Sequence, residues 1–126
     1  MSAELILLVD DEPAIRLSVG DALRAAGHRV KVTADGWEAQ AALAAQGFDL
    51  MISDQTMPKL TGSELAMRCK AIKPDLPIIL MTGHSATLNA RIADELGIAA
   101  LLAKPVDTVA LAAAIDAALR RVTVRA

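Results

Sequence analysis

Three aspartates follow two apolar runs of this sequence. The run Leu5–Val9 is followed by Asp10 and Asp11, and the run 48–53 is followed by Asp54. Carboxylates held close together repel one another, and a cation relieves that repulsion. Mg²⁺ prefers oxygen ligands of this kind. If the two runs are neighbouring strands of one sheet, the aspartates predict a metal site at its edge.

A hydroxyl and an ammonium group follow two later apolar runs. Thr82 and Gly83 end the fourth run, and Lys104 and Pro105 end the fifth. Lysine is a mobile point charge that suits a phosphoryl oxygen. The hydroxyl suits a second phosphoryl oxygen, and glycine leaves room for the group to enter. A cis bond before Pro105 would aim the lysine into the cleft, although trans is the commoner state. These residue types predict a phosphate-handling site.

Asp54 is the best candidate for a nucleophile in such a site. A carboxylate can attack phosphorus and form an acyl phosphate. A Mg²⁺ ion that bridges Asp11, Asp54 and a phosphoryl oxygen would neutralise the charge that gathers there. Asp10 would bind the ion directly or hold one of its waters.

The elements that must position these residues alternate along the chain. Three of the apolar runs are continuous, which is typical of strands buried on both faces. Strict alternation of strands and helices predicts right-handed βαβ units, hence an α/β fold with a parallel sheet and helices on both faces. Ligands of such sheets bind beyond the carboxyl ends of the strands. The predicted strands are 4–9, 29–33, 49–53, 77–82 and 99–103, and the predicted helices are 13–26, 36–46, 62–73, 87–96 and 107–121.

Residues that begin and end helices agree with these boundaries. Glycine after a helix favours a left-handed closing residue, and proline suits the first helical position. Asp or Thr just before a helix accepts a hydrogen bond from its first turn. We therefore expect left-handed C-caps at Gly27, Gly47 and Gly97, and helix starts at Pro13, Asp35, Thr61 and Asp107.

Composition limits the function classes. A chain of 126 residues is one domain by length, and its net charge of −2 argues against a general nucleic-acid surface. Its apolar stretches are too short for a membrane span, and Glu4 and Asp10 argue against a signal peptide. The single Cys69 cannot form an internal disulfide, which fits the cytoplasm. We expect this cysteine to be a buried apolar residue.

The chain resembles the receiver domains of two-component response regulators over residues 1–126. The matching motifs are Asp10-Asp11-Glu12, the segment 54–58 with Gly62, Thr82-Gly83 and Lys104-Pro105. The resemblance implies a doubly wound, flavodoxin-like (βα)5 fold whose five-stranded parallel sheet has the order 2-1-3-4-5. Short strings around Asp54 and Thr82 look most similar to receivers attached to hybrid sensor histidine kinases.

The resemblance also implies a phosphorelay function. Asp54 would take a phosphoryl group from a phosphohistidine on a histidine kinase or a histidine phosphotransfer protein. Asp11, Asp54 and the backbone carbonyl of Thr56 would carry Mg²⁺, with Asp10 beside them. The domain would then change conformation and control a partner or an attached domain. Apart from catalysing its own phosphorylation and dephosphorylation, it would not be an enzyme.

Four further residues take their expected roles from the same resemblance. Thr82 and Lys104 would bind the phosphoryl group. Thr56 and His84 would flank the path of the attacking water and tune the lifetime of the phosphoryl group.

One position departs from the family pattern. Receivers usually carry an aromatic residue three positions before the lysine, and it turns inward on phosphorylation. Here that residue is Leu101, and the chain has no tyrosine. The usual threonine–aromatic switch cannot operate in its ordinary form, whereas phosphoacceptance should survive because Leu101 takes no part in the chemistry.

Two other classes of protein are alternatives. A haloacid-dehalogenase-like phosphatase would need a second aspartate two residues after Asp54, and that position is Thr56. A degenerate receiver would bind partners without phosphate. The intact set of acidic and basic site residues argues against it, and Leu101 argues for it.

Overall fold

The computed structural model describes residues 3–83 and 90–125. In that part of the chain, strands and helices alternate as the sequence predicts. The strands are β1 (Leu5–Val9), β2 (Arg29–Thr33), β3 (Leu50–Asp54), β4 (Ile78–Thr82) and β5 (Ala100–Ala103). The helices are α1 (Pro13–Ala25), α2 (Gly36–Ala45), α3 (Gly62–Ile72), α4 (Ala90–Glu95) and α5 (Thr108–Arg125).

The strands form one parallel sheet of order β2-β1-β3-β4-β5, which confirms the predicted topology. The chain leaves β1 towards β2 and then returns to the opposite side of β1 to form β3. The strand order therefore reverses between β1 and β3, and ligands bind at the carboxyl ends of strands at such a point. Val9 pairs with Ser53 in the register of these two strands.

Two apolar layers cover the two faces of the sheet. On one face, Leu7 and Val9 of β1 pack with residues of α2 and α3, including Leu43 and Leu65. On the other face, Ile6 and Leu8 pack with residues of α1 and α5. Successive side chains of a strand point to opposite faces, so one central strand supplies both layers. At the edges, β2 exposes Arg29 and Lys31, and β5 has only 4 residues.

Most predicted helix ends agree with the structure. Pro13 begins α1, Asp35 and Thr61 accept hydrogen bonds from the first turns of α2 and α3, and Asp107 accepts one from Val109 N. Gly27 and Gly97 have φ of 95° and 72°, as expected of left-handed caps.

The expected left-handed cap at Gly47 is wrong. Its φ is not among the positive values, and α2 ends at Ala45. Gln46 follows in an extended conformation, with φ −153° and ψ 159°. The chain therefore leaves this helix directly into extended backbone and needs no left-handed residue.

Three further findings concern the helices. The predicted start of the fourth helix at residue 87 lies outside the described residues, and α4 is described from Ala90. Cys69 of α3 is fully buried, and burial raises the pKa of its thiol to about 11, which agrees with the predicted apolar role. Within residues 3–83 and 90–125, none of the helices combines the length and apolarity that a bilayer span requires.

Candidate functional site

The register of β1 and β3 brings two buried carboxylates together. Because Val9 pairs with Ser53, the next residues, Asp10 and Asp54, lie side by side at the carboxyl end of the sheet. Asp10 is 0% exposed and Asp54 is 3% exposed. Ionised carboxylates are rarely buried unless they are paired or bind a cation, so this pair is a functional candidate.

Lys104 supplies a positive charge to both carboxylates. It follows β5, and its backbone amide donates a 2.7 Å hydrogen bond to the carbonyl of Thr82 at the end of β4. Its Nζ lies 3.1 Å from Asp54 Oδ1 and 3.2 Å from Asp10 Oδ2. The bond between Lys104 and Pro105 is cis. The lysine predicted from the end of the fifth apolar run thus reaches the aspartates at the ends of the first and third.

The loop between β1 and α1 adds a third carboxylate. The amide of Glu12 donates a 2.9 Å hydrogen bond to Asp10 Oδ1, and the guanidinium of Arg16 donates to the Asp10 carbonyl at 2.8 Å. Glu12 Oε1 lies 3.6 Å from Lys104 Nζ. One carboxylate oxygen from each of Asp10, Glu12 and Asp54 lies within 4.8 Å of the others.

Glu12 was missed as a possible ligand in the reasoning from sequence. The available signal was its place directly after two acidic residues, but Asp11 was chosen instead. Asp11 is exposed and stands outside the carboxylate group found among the described residues. Its charge still acts on the site, because it contributes to the raised pKa of Asp54.

Burial dominates the electrostatics of the two aspartates. It raises the pKa of Asp10 and of Asp54, although hydrogen bonds and the charge of Lys104 act in the opposite direction. Burial alone would lower the pKa of Lys104, but its hydrogen bond to Asp54 and the charges of both aspartates raise it overall. One ammonium group therefore compensates these carboxylates only in part.

The donor set fits a hard divalent cation. Three clustered carboxylates offer oxygen ligands, which Mg²⁺ prefers, and they carry more negative charge than Lys104 neutralises. A cation would offset the charge that burial makes costly.

The loop between β3 and α3 lies against the same carboxylate. The amide of Thr56 donates to Asp54 Oδ1 at 3.4 Å, which is long for a hydrogen bond. A Cβ atom on Gly62 would lie 2.4 Å from the Asp54 carbonyl oxygen, so only glycine fits at the start of α3. The main chain of Asp54 and the first residue of α3 are therefore in close contact.

The remaining predicted site residues are placed as follows. Thr82 and Gly83 are half-buried at the end of β4, next to β5. Leu101 is partly buried and packs against the same apolar layer as Leu7. His84 lies outside the described residues.

Comparison with known proteins places the chain in a family. The family model of the response regulator receiver domain matches residues 6–116. Transcriptional regulatory protein GlrR of Escherichia coli is 35% identical over 92% of this chain and 26% of its own length. DNA-binding transcriptional regulator NtrC of Azospirillum brasilense is 38% identical over 94% of this chain and 25% of its own length. The chain thus spans about a quarter of the length of these curated relatives.

A solved structure agrees with this placement. The crystal structure of a response regulator receiver domain protein from Clostridium thermocellum superimposes with a TM-score of 0.92. It is 30% identical in sequence, and the match covers 98% of this chain and 99% of that chain. Fold, family model and relatives agree, and the chain belongs to the family of response regulator receiver domains of two-component phosphorelay signalling.

Proposed function

We propose that this domain accepts a phosphoryl group on Asp54, in a Mg²⁺-dependent reaction, from a phosphohistidine on a histidine kinase or a histidine phosphotransfer protein. The observation that carries the proposal is the position of Asp54. It is buried where the strand order of the sheet reverses, 3.1 Å from Lys104 Nζ and within a group of three carboxylates. Receiver domains in response regulators pair with histidine kinases, which supports this class of donor.

The chemical step follows from the residues of the pocket. A carboxylate oxygen of Asp54 attacks phosphorus, the P–N bond of the phosphohistidine breaks, and the imidazole leaves with that electron pair. Lys104 holds one phosphoryl oxygen by charge, and the hydroxyl of Thr82 donates to another. Lys104 already contacts the attacking carboxylate of Asp54, so it needs little movement to reach the incoming phosphoryl group.

The proposed metal ligands are Asp10, Asp11, Asp54 and the backbone carbonyl of Thr56. Glu12 joins this proposal because its carboxylate lies in the group that Asp10 and Asp54 form. When bound, Mg²⁺ supplies positive charge that offsets the charge on the carboxylates and the phosphoryl oxygens. The exposed Asp11 has room to turn towards the ion, whereas Asp10 is fixed by its hydrogen bond from Glu12 N.

The phosphorylated domain would control a partner or an attached domain. The named relatives are transcriptional regulators, and this chain spans only their receiver part, so such an output domain is a reasonable target. A hybrid sensor histidine kinase is the second candidate for the attached protein, because the strings around Asp54 and Thr82 resemble receivers of that class. We assign no nucleic-acid contact to this domain itself, given its net charge of −2, and we propose a cytoplasmic location. A receiver domain is not a classical enzyme, so the only chemistry we propose is its own phosphorylation and dephosphorylation.

The signalling output and the lifetime of the phosphoryl group depend on residues other than Asp54. We propose that α4, β5 and α5 form the output face. We expect a smaller conformational change there on phosphorylation, because Leu101 has no polar tip and already packs against the buried apolar layer. Thr56, which is exposed beside the pocket, and His84 would tune how long the phosphoryl group lasts.

The test is phosphorylation by a small phosphodonor with Mg²⁺. We expect one acid-stable, base-labile phosphoryl group by intact mass, which is absent in Asp54→Asn and absent when the metal is chelated. Asp75→Asn is the matched control, because Asp75 is an exposed carboxylate in the loop before β4. A protein that takes no phosphoryl group would be a degenerate receiver. One that hydrolyses an ordinary phosphate monoester with turnover, a reaction that needs a general acid for the leaving group, would be a phosphatase. Either result contradicts the proposal.

A further inference from the structure

The residue after the proposed phosphoacceptor is fixed on all sides. Gln55 is 9% exposed, and its amide donates a 2.8 Å hydrogen bond to the carbonyl of Met81 on β4. Its own carbonyl accepts a 3.0 Å hydrogen bond from Gly62 N at the start of α3. The main chain at this position therefore connects β3, β4 and α3.

The side chain of Gln55 makes a second connection to α3. Its Oε1 accepts a 2.7 Å hydrogen bond from Ser63 N, and its Nε2 donates a 2.9 Å hydrogen bond to Ser63 Oγ. The side-chain amide of Gln55 is thus paired with both the backbone amide and the hydroxyl of Ser63. We call this pair of hydrogen bonds the Gln55–Ser63 clamp.

Gln55 supplies partners to backbone amides that a helix start leaves unpaired. The first amides of a helix have no partner within the helix. In α3, Gln55 accepts from Gly62 N and Ser63 N, while the capping threonine accepts from Glu64 N at 3.2 Å. Two of the first three amides of α3 are therefore bonded to the residue next to Asp54, and only one is bonded to the usual cap.

From this geometry we propose that Gln55 is a positioning residue for the phosphoacceptor site. The Gln55–Ser63 clamp holds the segment 54–56 against α3 and thereby fixes the backbone that carries the Asp54 carboxylate and the Thr56 carbonyl. The inference rests on the proposed function, because it assigns these two groups to the metal site. Gln55 itself touches neither the metal nor the phosphoryl group.

The alternative is a purely structural role in starting α3. Glu64 offers the matched control, since its Oε1 accepts hydrogen bonds from Thr61 N at 2.9 Å and from Thr61 Oγ1 at 3.0 Å. Glu64→Ala weakens the start of the same helix without touching Gln55. A structural role predicts equal effects of Gln55→Leu and Glu64→Ala on the site, whereas positioning predicts an effect of Gln55→Leu alone.

The experiment uses the whole chain with Gln55→Leu, Ser63→Ala, Ser63→Thr and Glu64→Ala. Gln55→Leu keeps most of the volume and removes both bonds of the clamp. Ser63→Ala removes the bond from Gln55 to the hydroxyl, together with the 3.3 Å contact of that hydroxyl with Thr61 Oγ1, and Ser63→Thr restores both. The readouts are the Mg²⁺ dissociation constant by calorimetry, the amide chemical shift of Thr56 without metal, and the rate of phosphorylation by a small phosphodonor at saturating Mg²⁺.

We expect Gln55→Leu to weaken Mg²⁺ binding about tenfold, because the loss of a residue that orients metal ligands commonly has an effect of this size. Ser63→Ala should weaken it less, and Ser63→Thr and Glu64→Ala should match the wild type. The Thr56 shift and the phosphorylation rate should change in the same order. If Gln55→Leu does not fold, Ser63→Ala against Ser63→Thr decides the matter.

Two results would overturn the proposal. One is a Gln55→Leu protein whose Mg²⁺ affinity and Thr56 shift equal those of the wild type. The other is a Glu64→Ala protein that loses as much affinity as Gln55→Leu. A wild-type protein that takes no phosphoryl group would refute the proposed function instead, and the metal affinity and the Thr56 shift would still decide the role of Gln55.

Discussion

The ammonium group of Lys104 lies 3.1 Å from Asp54 Oδ1, although the two residues are 50 positions apart in the sequence numbering. The lysine is 16% exposed and the aspartate 4% exposed in their side chains, so water screens this ion pair only weakly. The same ammonium group contacts Asp10 at 3.2 Å. Lys104 therefore supports the two carboxylates when no metal is bound.

We predict that Lys104→Ala lowers stability and impairs the response to phosphorylation but does not weaken metal binding. Removing one partner of a buried pair leaves charge uncompensated, so the metal-free protein should lose roughly 3 kcal/mol of unfolding free energy. Mg²⁺ should bind as tightly as in the wild type or more tightly, because no cation competes with it. Beryllofluoride, a phosphoryl mimic, should bind more weakly, and calorimetry measures both affinities. Unchanged beryllofluoride affinity would refute the role of Lys104, and Lys73→Ala, at an exposed position after α3, is the control.

We predict that Asp54→Asn stabilises the metal-free protein in a pH-dependent way. The folded-state pKa of Asp54 is raised above its ordinary value of 3.8, chiefly by burial. Stability from this group is thus fully present below pH 3.8 and is lost as pH rises through the folded-state pKa. Asp54→Asn should be more stable than the wild type at neutral pH, and the difference should vanish in acid.

Urea unfolding over a pH series without Mg²⁺ measures this difference, with Asp75→Asn as the control. Adding Mg²⁺ should reverse the order at neutral pH, because a ligand that binds only the folded state stabilises it and the wild type binds the ion better. A wild type that Mg²⁺ does not stabilise would contradict the metal site. A constant difference between the two proteins down to the lowest pH would contradict the raised pKa.

We predict that Gly62→Ala damages both stability and phosphoacceptance. Its Cβ would lie 2.4 Å from the Asp54 carbonyl oxygen and 3.0 Å from Gln55 Cα, and neither backbone atom can rotate away. Forcing an extra atom into packed structure typically costs about 1–3 kcal/mol. Thermal melts and phosphorylation rates measure the effects. Gly47→Ala is the control, since its Cβ would meet nothing within 4 Å, and equal behaviour of the two variants would refute the close approach.

We predict that Lys59→Gly stabilises the protein. Lys59 has φ of 73°, a left-handed conformation that costs a side chain free energy and that glycine adopts readily. The gain should be roughly 1 kcal/mol in urea unfolding, because a strained residue of this kind typically costs about 1–3 kcal/mol and glycine gives part of that back in chain entropy. Lys59→Ala removes the same charge but keeps a Cβ, so it should show no such gain.

The features that the sequence predicted are those that depend on local pattern. Alternating apolar runs and helical periods predicted the sheet and its helices, and the ends of those runs predicted the meeting of Asp10, Asp54 and Lys104. Such residues meet because parallel strands share one edge. A local pattern of this kind predicts where a strand or helix lies, but it does not predict the conformation of a loop.

The features that the sequence did not predict depend on loop geometry. Glu12 approaches the site because its amide donates a hydrogen bond back to Asp10 Oδ1. The periodicity of apolar residues does not reveal such a turn. Gln55 was given no role, since its partner Ser63 lies 8 residues away across an irregular loop. Gly47 was predicted to be a left-handed cap because it lies between a helical run and a strand, but an extended Gln46 ends that helix.

The exposed charges of β2 affect how readily the domain aggregates with other copies of itself. An uncovered strand presents free amide and carbonyl groups that can template aggregation with another extended chain. Arg29 and Lys31 place like charges along this border, and the guanidinium of Arg29 also donates to the Ala3 carbonyl at 3.2 and 3.1 Å. At the opposite border, β5 is too short to offer a long template. The charges and the short strand therefore oppose edge-to-edge fibre growth.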